Sequence, residues 1–166
     1  MEIHDAASFA RYFESIRART LRVAEAIPGE RLEWAPAPGS FTFGDLLRHL
    51  AAMERHMFAE NVQGRPSRYQ GCGRELADGR DEVLAFVARL HGEAMEIFRR
   101  LTPEDLARRC QTPAGVEMSA WKWLRAMVEH EVHHRGQIYL MLRLIDVPTP
   151  PLYGLTSEEV RARSAS

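Results

Sequence analysis

Four long stretches of this chain carry apolar residues at three- and four-residue steps, and no other feature limits its fold as much. In the first, Phe9, Phe13, Ile16, Thr20 and Val23 share one side of a helix expected from Asp5 to Ile27, where Pro28-Gly29 stops it. The second opens at Thr42, with Asp45 as its capping partner three residues on, and runs to about Gln63. The third spans Arg80 to Leu101, with Val83, Phe86, Val87, Leu90, Ala94, Ile97 and Phe98 as its stripe. Thr102-Pro103-Glu104-Asp105 then reads as the cap, proline and acid that start a short helix. The fourth starts near Ser119 and ends at about Asp146, before Val147-Pro148; at 1.5 Å per residue it is roughly 40 Å long. The tail adds a turn or two, capped by Thr156 with Glu159.

No run alternates apolar and polar residues between turn signals, so no sheet is expected. The chain should be all-α: a four-helix bundle of antiparallel long helices with long connectors, forming one domain over 1–166. Trp34, in a connector that also holds Pro36, Pro38 and Gly39, is expected to plug one end. A formal net charge of -1 gives no basic face for nucleic acid. The positive charge is nearly all Arg, with Lys122 the single lysine, which reads as coding bias and not as a phosphate site. The N-terminus lacks the basic start and apolar run of a signal peptide, and no stretch reaches the roughly 18 apolar residues that span a membrane. Cys72 and Cys110 lie in expected loops and form no CxxC, which suggests free thiols in a reducing compartment, the cytoplasm.

The histidines carry the chemistry. At 100° per residue from His130, Trp123 and Met141 fall at about 20°, His134 at about 40°, Met127 at about 60° and Gln137 at about -20°. His130 and His134 therefore lie inside the fourth helix's own apolar stripe. Two histidines four apart sit one turn apart, with Cβ atoms about 6 Å from each other, and can converge on one ion. A third ligand must come from a facing helix, and His49 shares a face with Leu46, Met53 and His56 on the second. Three imidazoles leave coordination positions open, as catalytic metal sites do. His56, about two turns from His49, is expected behind the ligands or at the bundle's end. His4 and His91 read as ordinary surface or boundary residues, and His133 falls at the stripe's edge. Met53, Met127 and Met141 read as core filler.

His130-Glu131-Val132-His133-His134 matches H-E-x-x-H, the zinc-protease pattern. The longer zincin pattern fails, because Gln137 stands at its glycine and Leu140 at its last histidine. The expected helix also runs on for about three turns, and no cleft-lining sheet is expected, so a metalloprotease is set aside. By the wheel Glu131 faces solvent, near 100°, and Arg135 lies near 140°.

The segment HEVHHRGQIYLMLR, with TFGDLLRHLAAMERH upstream and the ending PPLYGL, resembles the DinB/YfiT-like superfamily over most of the chain. The resemblance implies a four-helix bundle, often a homodimer, with a three-histidine metal centre whose ligands fall on His49, His130 and His134. It further implies thiol-dependent chemistry of S-transferase or isomerase type, with a thiol such as bacillithiol or mycothiol acting on a small-molecule substrate. The metal would be Zn, Ni or Fe, with copper also compatible with imidazoles. Arg135 or the arginines of the 64–80 loop would then anchor a carboxylate of the thiol, and Gln137 would steady a ligand imidazole from behind. A metal-dependent hydrolase, a non-catalytic metal site and a bundle with purely structural histidines remain open beside this reading.

Overall fold

The computed structural model describes residues 2–164; Met1, Ala165 and Ser166, the ends of the expected 1–166 domain and tail, lie outside the described residues. Helix α1 is Ala6–Glu25, started by the Asp5 carboxylate, which accepts from the amides of Ala7 and Ser8 at 3.2 and 2.8 Å. Helix α2, Phe43–Met53, has the capping box read from Thr42 and Asp45. It passes into a π-helical turn, Glu54–Phe58, and resumes as α3, Ala59–Asn61, so the expected second helix holds to within two residues. Helix α4 is Arg80–Arg99, and α5, Pro103–Ala107, carries the Thr102–Asp105 capping box with proline at its start. Helix α6 is Ala120–Leu144, and α7, Ser157–Ser164, is closed by reciprocal bonds between Thr156 and Glu159.

One expectation fails between α5 and α6. A two-stranded antiparallel ribbon stands there, β1 (Arg109–Gln111) with β2 (Glu117–Ser119), pairing Cys110 with Met118. Three residues per strand are too few to show an alternating pattern, so the ribbon left no trace in the sequence. Cys110, expected in a loop, sits in β1 and is buried.

The long helices bury two apolar clusters stacked along the bundle. One joins Phe9, Phe13, Phe58, Met95, Phe98 and Leu124, and the other Val23, Leu46, Leu50, Val83, Leu90 and Ile138. Trp34 packs against the second cluster with its ring 5.8 Å from that of Phe43, as a plug at that end would. Every long helix crosses from one cluster to the other, and each places polar side chains at the crossing. These are Arg17 and Thr20 on α1, His49 on α2 and Glu54 just past it, His91 on α4, and His130, Glu131, His134 and Arg135 on α6. The interior is thus two apolar halves separated by one polar layer.

Candidate metal centre

Half of that layer is an ion-pair network. The Arg17 guanidinium, 2% exposed, bonds the Glu54 carboxylate and lies 3.2 Å from that of Glu131. His91 Nδ1 stands 2.8 Å from the other Glu54 oxygen. This corrects two readings. Glu131 does not face solvent; it is 2% exposed. Arg135 is likewise buried, and donates to the Ile16 carbonyl at 3.2 Å, so it offers nothing to a ligand at the histidines. The wheel erred because it assumed one buried stripe, whereas α6 is covered by α1 on one side and α2 on the other. His91, taken as an ordinary boundary residue, is half-buried but tied to Glu54.

The other half is the histidine cluster. His49, His130 and His134 are brought together as expected, with ligand atoms all within 4.8 Å of one another. His130 Nε2 lies 3.0 Å from His49 Nε2 and 3.1 Å from His134 Nε2. The outward nitrogens of two of the rings are engaged. His134 Nδ1–H donates to Gln137 Oε1 at 2.6 Å, and His49 Nδ1 is 2.8 Å from the Tyr69 hydroxyl. The Gln137 oxygen can only accept, so His134 carries its proton on Nδ1 and turns a bare lone pair on Nε2 toward His130; Tyr69 does the same for His49 when its hydroxyl oxygen accepts from Nδ1.

Three ring nitrogens turned toward one another, with a bare lone pair on at least one of them, suit a shared cation. Bonds of about 2.0–2.1 Å to a tetrahedral ion put its ligands roughly 3.3–3.4 Å apart, so the residues present fit one if the two pairs through His130 open slightly and the widest pair closes from within 4.8 Å. Electrostatics favours the neutral, ligating form. Burial, then the neighbouring His134, pushes His49 down to about 4. Burial and the other two imidazoles push His130 down to about 3. Burial also lowers His134, against the Gln137 bond, which raises it.

Three residues of the site were not foreseen. Phe41 stacks on His49 with ring centres 5.5 Å apart and meets His134 edge-on at 6.4 Å. Tyr69, from the 64–79 connector, holds His49 from the other side. Phe58 closes on His130 with ring centres 5.8 Å apart. Of the remaining histidines, His133 is exposed beside His134, its ring centre 4.9 Å away. His56 lies in the π-helical turn and outside the cluster. His4 is a surface residue 3.4 Å from the Glu2 carboxylate.

The comparisons with known proteins agree with this architecture. The family model of the DinB superfamily matches residues 12–138. The uncharacterized protein YjoA of Bacillus subtilis is 27% identical over 146 residues, 86% of this chain and 92% of that one. The crystal structure of that DinB-like protein superposes with a TM-score of 0.72 at 23% identity, over 87% of this chain and 96% of that one. A DinB-like protein from Bacillus cereus gives 0.69 at 18% identity, over 86% and 94%. YfiT from Bacillus subtilis, described as a "probable metal-dependent hydrolase with an unusual four-helix bundle topology", gives 0.69 at 18% identity, over 86% and 89%.

Proposed function

The chain belongs to the DinB superfamily, and from that premise we propose that it is a divalent-metal-dependent enzyme whose ion is held by Nε2 of His49, His130 and His134. The observation that carries this reading is the convergence of the three Nε2 atoms while the Nδ1 atoms of His49 and His134 are committed to Tyr69 and Gln137. A bound Zn, Ni or Fe ion supplies Lewis acidity, lowering the pKa of a thiol or water at its open position.

The chain's own residues do the rest. Gln137 fixes the His134 tautomer that aims a lone pair inward, and Tyr69 orients the His49 ring from its outer nitrogen. Phe41 and Phe58 cover the imidazoles and keep bulk water off them. His133, exposed beside His134, is placed to carry a proton out to solvent.

We take the nucleophile to be a low-molecular-weight thiol such as bacillithiol or mycothiol, in an S-transferase or isomerase type of reaction. In a transferase its sulfur bonds the electrophilic carbon of a small-molecule substrate, the leaving group departs with the electron pair of its bond, and the thiol proton leaves by way of His133; in an isomerase the sulfur adds to that carbon, the adduct rearranges, and the thiol is expelled with the electron pair of the C–S bond and takes its proton back. The connector that delivers Tyr69 also carries Arg65, Arg68 and Arg74, all mostly exposed; each pairs with an acid, Glu60 or Asp78, so an anionic thiol anchored there would share or displace that carboxylate. A second reading, hydrolysis with water as the nucleophile, is favoured by the burial of Arg135 and by the description of YfiT as a metal-dependent hydrolase. The proposal includes a cytoplasmic homodimer. No helix among the described residues is long and apolar enough to cross a membrane.

Elemental analysis of the purified protein beside His130→Ala tests the centre. Near one ion per chain, lost in the variant, is the expected result; no ion in either, even after incubation with Zn, Ni or Fe, leaves a bundle with structural histidines. Thiol titration of the loaded protein with an electrophile separates the enzyme readings, since a transferase consumes thiol in step with product, an isomerase requires and regenerates it, and a hydrolase ignores it.

A further inference from the structure

A cavity of about 440 Å³ opens beside the histidines, between the 36–41 connector and the C-terminal half of α6. Its walls are Pro36, Phe41, Leu46, Leu140, Met141 and Leu144, and among the described residues no charged side chain lines it. It is joined to the metal centre through two side chains that belong to both. Phe41 forms a wall of the cavity and stacks on His49, and Gln137 forms another and is bonded to His134. The floor reaches buried Leu46 and Met141, while Leu140, 59% exposed, stands at the rim.

We propose that this cavity seats the non-reacting part of the substrate, and that this part is neutral and apolar: an alkyl or aryl group attached directly beside the reacting bond. The inference rests on the reading of the three histidines as a metal centre. The volume lies in the range of small-molecule pockets, which are largely apolar with a few placed polar groups. An ionised group here would meet no counter-charge and would lose hydration without return. Gln137 spends its carbonyl oxygen on His134, so its NH2 faces the task of donating to a neutral acceptor, such as a carbonyl oxygen next to the apolar group. A second copy of this chain would also cover Leu140 and Leu144. The concavity and the shared walls with the histidines favour the substrate.

The test uses the protein loaded with cobalt(II) and three hydroxamates, which bind metal through the same head. These are acetohydroxamate, hexanohydroxamate and the anionic succinic monohydroxamate. The cobalt absorption spectrum reports coordination, and calorimetry gives Kd. Full burial is worth about fourfold per methylene, so hexanohydroxamate should bind at least about tenfold more tightly than acetohydroxamate and more tightly than the anionic tail. Leu140→Asp and Leu144→Asp, both at exposed positions, should erase that gain and leave acetohydroxamate within about twofold of its original Kd. Equal affinity for the three ligands overturns the cavity assignment and leaves the metal centre standing; failure to take up cobalt overturns both. No gain from the tail, together with a dimer that Leu140→Asp converts to a monomer in sedimentation, assigns the surface to a second copy instead.

Discussion

The hydroxyl of Tyr69 stands 2.8 Å from Nδ1 of His49, on a connector residue twenty positions downstream of the helix residue it holds. When the hydroxyl oxygen accepts from Nδ1–H, that contact leaves His49 facing the other two imidazoles with a lone pair. Tyr69→Phe removes it with little change in volume. Divalent-metal affinity should fall about 10–100-fold, as for other partners of ligand imidazoles, with the circular dichroism spectrum unchanged. Competition against a chelator of known affinity measures this, and an unchanged affinity would show that Tyr69 does not orient His49.

Acid should destabilise the metal-free protein in a defined window. His49 and His130 titrate near 4 and 3 when folded and near 6.5 when unfolded. Above about pH 6.5 neither state is protonated at these rings, so their contribution is constant. As pH falls from there toward about 4 the unfolded chain takes up protons that the folded one refuses, and stability drops. Denaturant midpoints of the metal-free protein should be level above pH 7 and decline below about 6.5. His49→Phe should shallow the decline, and an identical slope in that variant would remove His49 as its source.

Arg17→Met leaves Glu54 and Glu131 buried with their shared cation gone. Breaking a buried pair on one side costs about 3–5 kcal/mol, measurable as a shift in urea midpoint. Glu131→Gln, which keeps shape and one acceptor, should cost less than Arg17→Met. The reverse order would mean that Glu131, with one oxygen lacking a partner, is held by something other than Arg17.

The Thr42 hydroxyl accepts from the Asp45 amide at 3.0 Å and donates to the Glu33 carboxylate at 2.8 Å. It starts the helix that carries His49 two turns later. Thr42→Ala should cost about 1 kcal/mol. It should raise amide exchange in the first turn of α2, while α6 stays protected.

The helices, their caps and the three histidines were legible because each is written in local spacing: a 3.6-residue period, a Thr three residues before an acid, a pair of histidines one turn apart. Phe41 and Tyr69 sit in connectors, where no period links a residue to what it touches, and no local signal marked them. The ion-pair network is a different case. Arg17 lies four residues after Phe13 and three before Thr20, inside α1's own stripe, and Glu54 follows Leu50 by four. Opposite charges at stripe positions on separate helices could have been paired from the sequence. Glu131 was lost to the assumption that α6 shows the core one face only.

The polar layer between the apolar halves has a consequence for how the helices are set lengthwise. At the apolar positions of either half, sliding one helix along its neighbour by a turn, about 5.4 Å, would exchange Leu, Val and Phe contacts for others of the same kind, although on α2 it would also draw buried Arg48 away from the Ala77 carbonyl and Glu33. At the layer the same slip would strand Arg17 among hydrocarbon and part it from Glu54 and Glu131. Charges buried at one level thus act as an axial stop, a role better attested for buried polar groups than any gain in stability. Nε2 atoms of His49 and His130, 3.0 Å apart on different helices, tolerate far less than one turn of slip, and the stop lies at their own level.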